Sequence, residues 1–209
     1  MGFMDESLAI TLLRHGLTEE NERHAYIGWS DFSLSEKGRK QLSHYGIFPT
    51  SFDEYVCSDL KRCVETAQLL FPNQSFHKCP AFREMHFGKW EGKTYEELKN
   101  DGLYQRWLQD FHSVQPPSGE SFQQFTERID SGWNQFICNL SLNGGNKAVI
   151  VSHGGVIRYL LSKFSPIKSE YWDWKVPIGT GFELIWKHGR GKNRCTSLRE
   201  VILTENQIG

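Results

Sequence analysis

Residues 8–13 are apolar at almost every position and stop abruptly at Arg14, His15 and Gly16. Residues 148–151, Ala-Val-Ile-Val, have the same character and end in Ser152, His153, Gly154 and Gly155. Runs without polar alternation predict strands buried on both faces, the habit of a parallel sheet. Shorter apolar runs predict strands over 55–58 and 75–77, and closing strands over 182–186 and 197–203, the last near an edge. Between these, apolar positions fall at helical spacing. Leu60, Cys63, Val64, Ala67 and Leu70 make one stripe on a helix over 59–70, and Ser35 caps a helix carrying Gln41, Leu42 and Tyr45. From 95 to 142, Trp107, Phe111, Phe122, Phe125, Ile129, Trp133, Phe136 and Ile137 recur at helical spacings, interrupted at 116–121 by Pro-Pro-Ser-Gly-Glu-Ser, which supplies a capping serine. Strands alternating with helices predict an α/β fold, here a three-layer α/β/α sandwich with a mostly parallel central sheet. The expected organisation is a single domain over 1–209, with a helical insertion at about 95–142 lying over the carboxyl ends of the strands.

The 209 residues suffice for one substantial core. A net charge of -1 without a run of like charges gives no extended field for nucleic acid, so any anion site must be local. Five cysteines, an odd number with no C-x-x-C pair, suggest neither a disulfide framework nor a zinc ribbon; they read as reduced thiols of a cytoplasmic protein. The apolar runs are too short for a membrane span.

Parallel strands bring their carboxyl ends together, and ligands of open α/β sheets bind at that edge. His15 and His153, each followed by glycine, should therefore face each other. Gly16 lets the backbone approach a ligand, and Thr18 can cap a following helical turn whose free N–H groups favour an anion. Arg62 stands in the first turn of its helix, where a cation opposes the dipole; that anomaly points to an anionic neighbour. The string Arg83-Glu84-Met85-His86-Phe87-Gly88-Lys89-Trp90-Glu91-Gly92 sets two carboxylates among glycines and aromatics, as an active-site edge would.

The string Leu-Leu-Arg-His-Gly-Leu-Thr-Glu-Glu-Asn at 12–21 resembles the signature of the histidine phosphatase superfamily, the phosphoglycerate mutases and acid-type phosphatases that pass a phosphoryl group through a histidine. The resemblance continues in Gly28-Trp29-Ser30-Asp31, in the Ser58-x-Leu60-x-Arg62 helix start, in the Glu84 segment, in Gly119-Glu120-Ser121 and in Ser152-His153-Gly154. It implies that His15 carries the phosphoryl group and that Glu84 donates the proton, Glu91 being the lesser candidate. Arg14, Arg62 and His153 then form the phosphate cage, with Gly16, Thr18, Asn21, Gly28 and Gly154 as substrate-binding positions. On this reading His15 must be unprotonated on its attacking nitrogen while His153 is better protonated.

Neither a carboxylate cluster for magnesium nor spaced zinc ligands occur in the sequence, so no metal and no cofactor are expected. The expected partner is a small phosphorylated substrate, with no nucleic acid and no membrane, in a monomer or homodimer. Glycolytic mutases follow the acid glutamate with arginine, histidine, tyrosine and glycine, whereas here Met85 and Phe87 replace the arginine and tyrosine. This favours a phosphatase. The chain resembles broad-specificity bacterial phosphatases and α-ribazole phosphatases about equally; a mutase and a silent phospholigand-binding protein are the alternatives.

Overall fold

The computed structural model describes residues 7–45, 48, 50–187 and 191–202. Six strands form one sheet: β1 (Leu8–Arg14), β2 (Glu54–Cys57), β3 (His77–Lys78), β4 (Lys147–Ser152), β5 (Thr180–Trp186) and β6 (Ser197–Ile202), in the order β3-β2-β4-β1-β5-β6. Pairing is parallel from β3 through β2 and β4 to β1, and antiparallel where β5 joins β1 and β6 joins β5. Register sets Arg14 opposite Ser152, and Cys57 opposite Val151. The residues just beyond β1, β2 and β4, namely His15, Ser58 and His153, thus emerge along one edge.

Successive side chains of a strand point to opposite faces, so each buried strand serves two cores. On one face Ile10, Leu12, Val56 and Ile150 pack against Phe125, Ile129, Trp133 and Phe136 of α6 (Phe122–Leu142) and Val156, Leu160 and Phe164 of α7 (Gly154–Phe164). On the other, Leu13, Val149 and Val151 meet Leu42 of α2 (Glu36–Tyr45) and Cys63, Ala67 and Leu70 of α3 (Lys61–Leu70). This is the three-layer α/β/α sandwich with a mostly parallel sheet that the pattern predicts. Expected caps are in place: Ser35 Oγ accepts from Gly38 N, and Ser121 caps α6 in a reciprocal box with Gln124.

The helical stretch at 95–142 divides into two parts with different roles. The short helices α4 (Tyr95–Leu98) and α5 (Gly102–Gln109) gather Trp90, Leu98, Tyr104 and Trp107 into a third cluster, which Tyr26 and Phe87 join. α6 instead joins α7 in a layer of the sandwich. Two boundaries also move. β3 begins at His77, because His77 is the first residue in register with β2, whereas residues 75 and 76 have no register partner in the sheet. α3 begins at Lys61 because the Asp59 carboxylate is taken by Arg83 and Leu60 N is met by Ser58 Oγ. The predicted end of the last strand, Leu203, lies outside the described residues.

Trp133 stacks on Phe164 at 4.8 Å and donates its indole N–H to Gly191 O at 2.9 Å, joining α6 to α7 and to residue 191. Trp133→Ala is expected to cost about 3–5 kcal/mol of unfolding free energy, measured as a lower denaturant midpoint with unchanged slope.

Candidate active site

The two histidines meet at the carboxyl edge with ring centroids 5.2 Å apart, inclined at 62°. His15 is buried, and its Nδ1 lies 2.7 Å from Gly16 O, an acceptor, so Nδ1 holds the proton and Nε2 the lone pair. Burial, then Arg62 and Arg14, hold its pKa well below the ordinary imidazole value.

Arg62 is fully buried. Its Nη2 donates to Gly28 O at 2.7 Å, its Nη1 to Ser30 O at 2.9 Å and its Nε to His153 Nδ1 at 3.3 Å. One N–H on each Nη remains for a ligand. Arg62 is therefore not a solvated charge on the face of its helix. Gly28 is needed for close approach: a Cβ there would lie 2.2 Å from Met85 O. Its carbonyl positions Arg62.

Arg14 donates from Nη1 to Val176 O at 2.6 Å, while its buried Nε has no partner. Burial, the largest cause, brings its pKa down to about 10. Gly154, first residue of α7, lies against this guanidinium; a Cβ there would sit 3.3 Å from Arg14 Cζ.

His153 corrects an expectation. Because Arg62 Nε–H can only donate, His153 Nδ1 must accept, and its proton lies on Nε2, 2.9 Å from Ser58 Oγ. Burial, Arg62, His15 and Arg14 all push its pKa well below the ordinary value, so this imidazole is neutral rather than protonated. A phosphate dianion among the same cations would oppose that push.

Glu84 joins the cluster from the loop after Phe82. Gly155 N donates to its Oε2 at 2.8 Å and Met85 N to its Oε1 at 2.9 Å, and its charge acts on both Arg14 and Arg62. Glu91 is differently employed. Its carboxylate accepts from Trp29 N at 2.8 Å, Phe87 N at 3.2 Å, Ser30 N at 2.5 Å and the Ser30 hydroxyl, which fixes the 28–30 loop that holds Arg62. Trp29 ties the same loop to the acid segment through Nε1–H donated to Glu84 O at 3.0 Å.

Thr18 and Asn21 are engaged with each other in the cap of α1 (Glu19–Glu22), Thr18 Oγ1 accepting from Asn21 N at 3.2 Å. Asn21 also lines, with Arg14, Leu17, Tyr26 and Ile178, an open cleft of about 670 Å³. Gly16 N donates to Thr66 Oγ1, whose hydroxyl bonds Arg62 O, linking β1 to α3. Sequence reasoning gave Ser58 no role beyond its place in the Ser58-x-Leu60-x-Arg62 helix start and passed over Thr66, Tyr171 and Arg158; of these only Ser58, immediately after a strand like the two histidines, carried a local signal. Among the described residues no group of three or more His, Cys, Asp or Glu side chains is placed to hold a metal ion, and no helix is long and apolar enough to cross a membrane.

The family model of the histidine phosphatase superfamily (branch 1) matches residues 10–198. The chain belongs to the histidine phosphatase superfamily. Within this superfamily it is 32% identical to the adenosylcobalamin/alpha-ribazole phosphatase of Salmonella typhimurium, over 82% of this chain and 87% of that one. It is 29% identical to the 2,3-bisphosphoglycerate-dependent phosphoglycerate mutase of Cytophaga hutchinsonii, over 77% of this chain and 79% of that one. The crystal structure of the alpha-ribazole phosphatase from Shigella flexneri superposes with a TM-score of 0.79 at 28% identity, covering 95% of this chain and 97% of that one.

Two histidines kept neutral in this histidine phosphatase fold make its stability depend on pH. In the unfolded chain each titrates near its ordinary value of 6.5, whereas the folded pKa is lower. Below that value the unfolded state binds protons that the native state refuses, so stability is full above about pH 6.5 and falls as pH drops through it, by up to ~1.4 kcal/mol per unit per histidine. Urea midpoints between pH 7.5 and 5 should decline, less steeply in His153→Asn and less steeply with inorganic phosphate present.

Proposed function

We propose that the protein is a phosphomonoesterase that hydrolyses small phosphorylated metabolites through a phosphohistidine on His15. The observation that carries this reading is the fixed tautomer of His15: Nδ1 is spent on Gly16 O, so Nε2 offers its lone pair beside two buried guanidinium groups. Attack of Nε2 on phosphorus forms an N–P bond as the ester P–O bond breaks, and the departing oxygen takes the proton of Glu84. Water then attacks phosphorus, Glu84 takes a proton from it, the N–P bond breaks, and inorganic phosphate leaves. Charge spread over the equatorial oxygens is met by the unpartnered Arg14 Nε–H and the two remaining Arg62 N–H groups.

The side chains at positions 85 and 87 favour hydrolysis over mutase chemistry. Met85 is buried in the main core and Phe87 packs on Tyr26 at 5.1 Å and Trp107 at 6.1 Å, so neither offers a cation or hydroxyl to a second phosphate or a carboxylate. Similarity to enzymes named as alpha-ribazole phosphatases makes a nucleoside-like phosphate ester a rational substrate to try. The whole activity on this reading resides in one domain, acting as a monomer or homodimer.

His15→Ala should abolish release of phosphate from p-nitrophenyl phosphate and remove acid-labile labelling by a ³²P-ester, read in a single-turnover quench; labelling that survives the substitution would refute the mechanism. EDTA should leave turnover unchanged. With 2,3-bisphosphoglycerate present, 3-phosphoglycerate should not be isomerised, and rapid isomerisation would make the protein a mutase.

A further inference from the structure

Tyr171 lies 87 residues along the chain from Glu84, in the short turn Tyr171–Asp173 that follows α7, yet both groups lie beside Gly155. A Cβ built on Gly155 would meet Glu84 Oε1 at 2.1 Å and the Tyr171 hydroxyl at 2.9 Å. Gly155 is therefore a gap shared by the carboxylate and the phenol. Burial first, and then the negative Glu84, push the Tyr171 pKa upward, so the phenol keeps its proton. The Arg158 guanidinium reaches the same hydroxyl. It is itself fixed by donating Nε–H to Trp174 O at 3.1 Å and by lying 5.6 Å over the Trp172 ring. A guanidinium can only donate, so it occupies a lone pair of the phenol oxygen and leaves the phenolic hydrogen for another acceptor. The nearby acceptor of opposite charge is Glu84.

We propose that Tyr171 is a positioning residue for the general acid: its O–H, oriented by Arg158, donates to Glu84 as the carboxylate forms on loss of its proton to the leaving oxygen. Tyr171 neither gains nor loses a proton in the step. Its hydrogen bond to the carboxylate oxygen strengthens as negative charge develops there, so it favours the transition state of the transfer. The ring is held by other aromatics: it stacks on Phe111 at 5.7 Å, meets Phe122 edge-on at 5.3 Å and touches Trp172 at 4.8 Å. The linker between α5 and α6 is thereby connected to the proton-transfer step.

This inference rests on the phosphatase reading with Glu84 as acid, and its test uses leaving groups that need the acid to different degrees. β-Glycerophosphate expels an alkoxide and requires protonation, whereas p-nitrophenyl phosphate expels a stable phenolate. Tyr171→Phe, which keeps the ring and its packing, should lower kcat for β-glycerophosphate roughly tenfold or more, the scale of a lost hydrogen bond to a charged oxygen. It should leave kcat for p-nitrophenyl phosphate within about twofold, with KM for both unchanged. Arg158→Ala should show the same bias towards the alkyl ester. Equal losses with the two esters, or no loss with either, would overturn the assignment and reduce Tyr171 to a packing residue. An unsubstituted protein that hydrolyses neither ester would overturn the phosphatase reading itself, and this inference with it.

Discussion

Moving a guanidinium out of water costs several kcal/mol unless its N–H groups find acceptors and its charge is answered nearby. Arg62 is fully buried, and three separate parts of the chain meet its demands. The 28–30 loop gives two carbonyls, the end of β4 gives an imidazole nitrogen, and the turn at Glu91 gives the carboxylate that fixes the loop and adds negative charge. The loop in turn is tied to Glu84 through the Trp29 indole, whose ring lies under the guanidinium groups of Arg83 and Arg128 at 4.9 and 5.6 Å. Satisfying one buried cation thus also fixes the distance between the phosphate cage and the acid.

That arrangement leaves the cluster electrostatically unbalanced. Arg14 and Arg62 are both pushed below the ordinary arginine value, and two imidazoles beside them are held neutral. Burial is the largest cause of every one of these shifts; Glu84 opposes it at both arginines, and Arg62 and Arg14 add to it at both imidazoles. The donors are fixed by the fold, not gathered by the ligand, so little reorganisation remains when charge develops on a transferring phosphoryl group.

The two central strands were legible because burial on both faces removes polar alternation, and the apposition of His15 and His153 followed from their being parallel. Arg62 was legible through a local contradiction, a cation at the wrong end of a helix dipole. β3 was started two residues early and ended one residue early because a two-residue strand has no period to read. The protonation of His153 was misjudged because it depends on complete burial and on Arg62 Nε lying 3.3 Å away, both tertiary facts. Tyr171 and Arg158 were invisible for the same reason: an aromatic in a turn and an arginine on a helix are ordinary surface residues until the fold brings them to Glu84. The stretch at 95–142 read as one helical unit because periodicity reports that a helix has an apolar face, not which core that face joins.

The sheet ends in two strands of unlike construction. β3 is two exposed residues, His77 and Lys78, and β6 is mostly exposed and carries Arg199 and Glu200. A short outer strand offers few free backbone groups, and a charged one repels an incoming neighbour. Neither rim is a good template for strand addition from another molecule. The apolar central strands, which in isolation have the composition of an aggregating segment, are therefore shielded on both sides by outer strands that stop the sheet from growing.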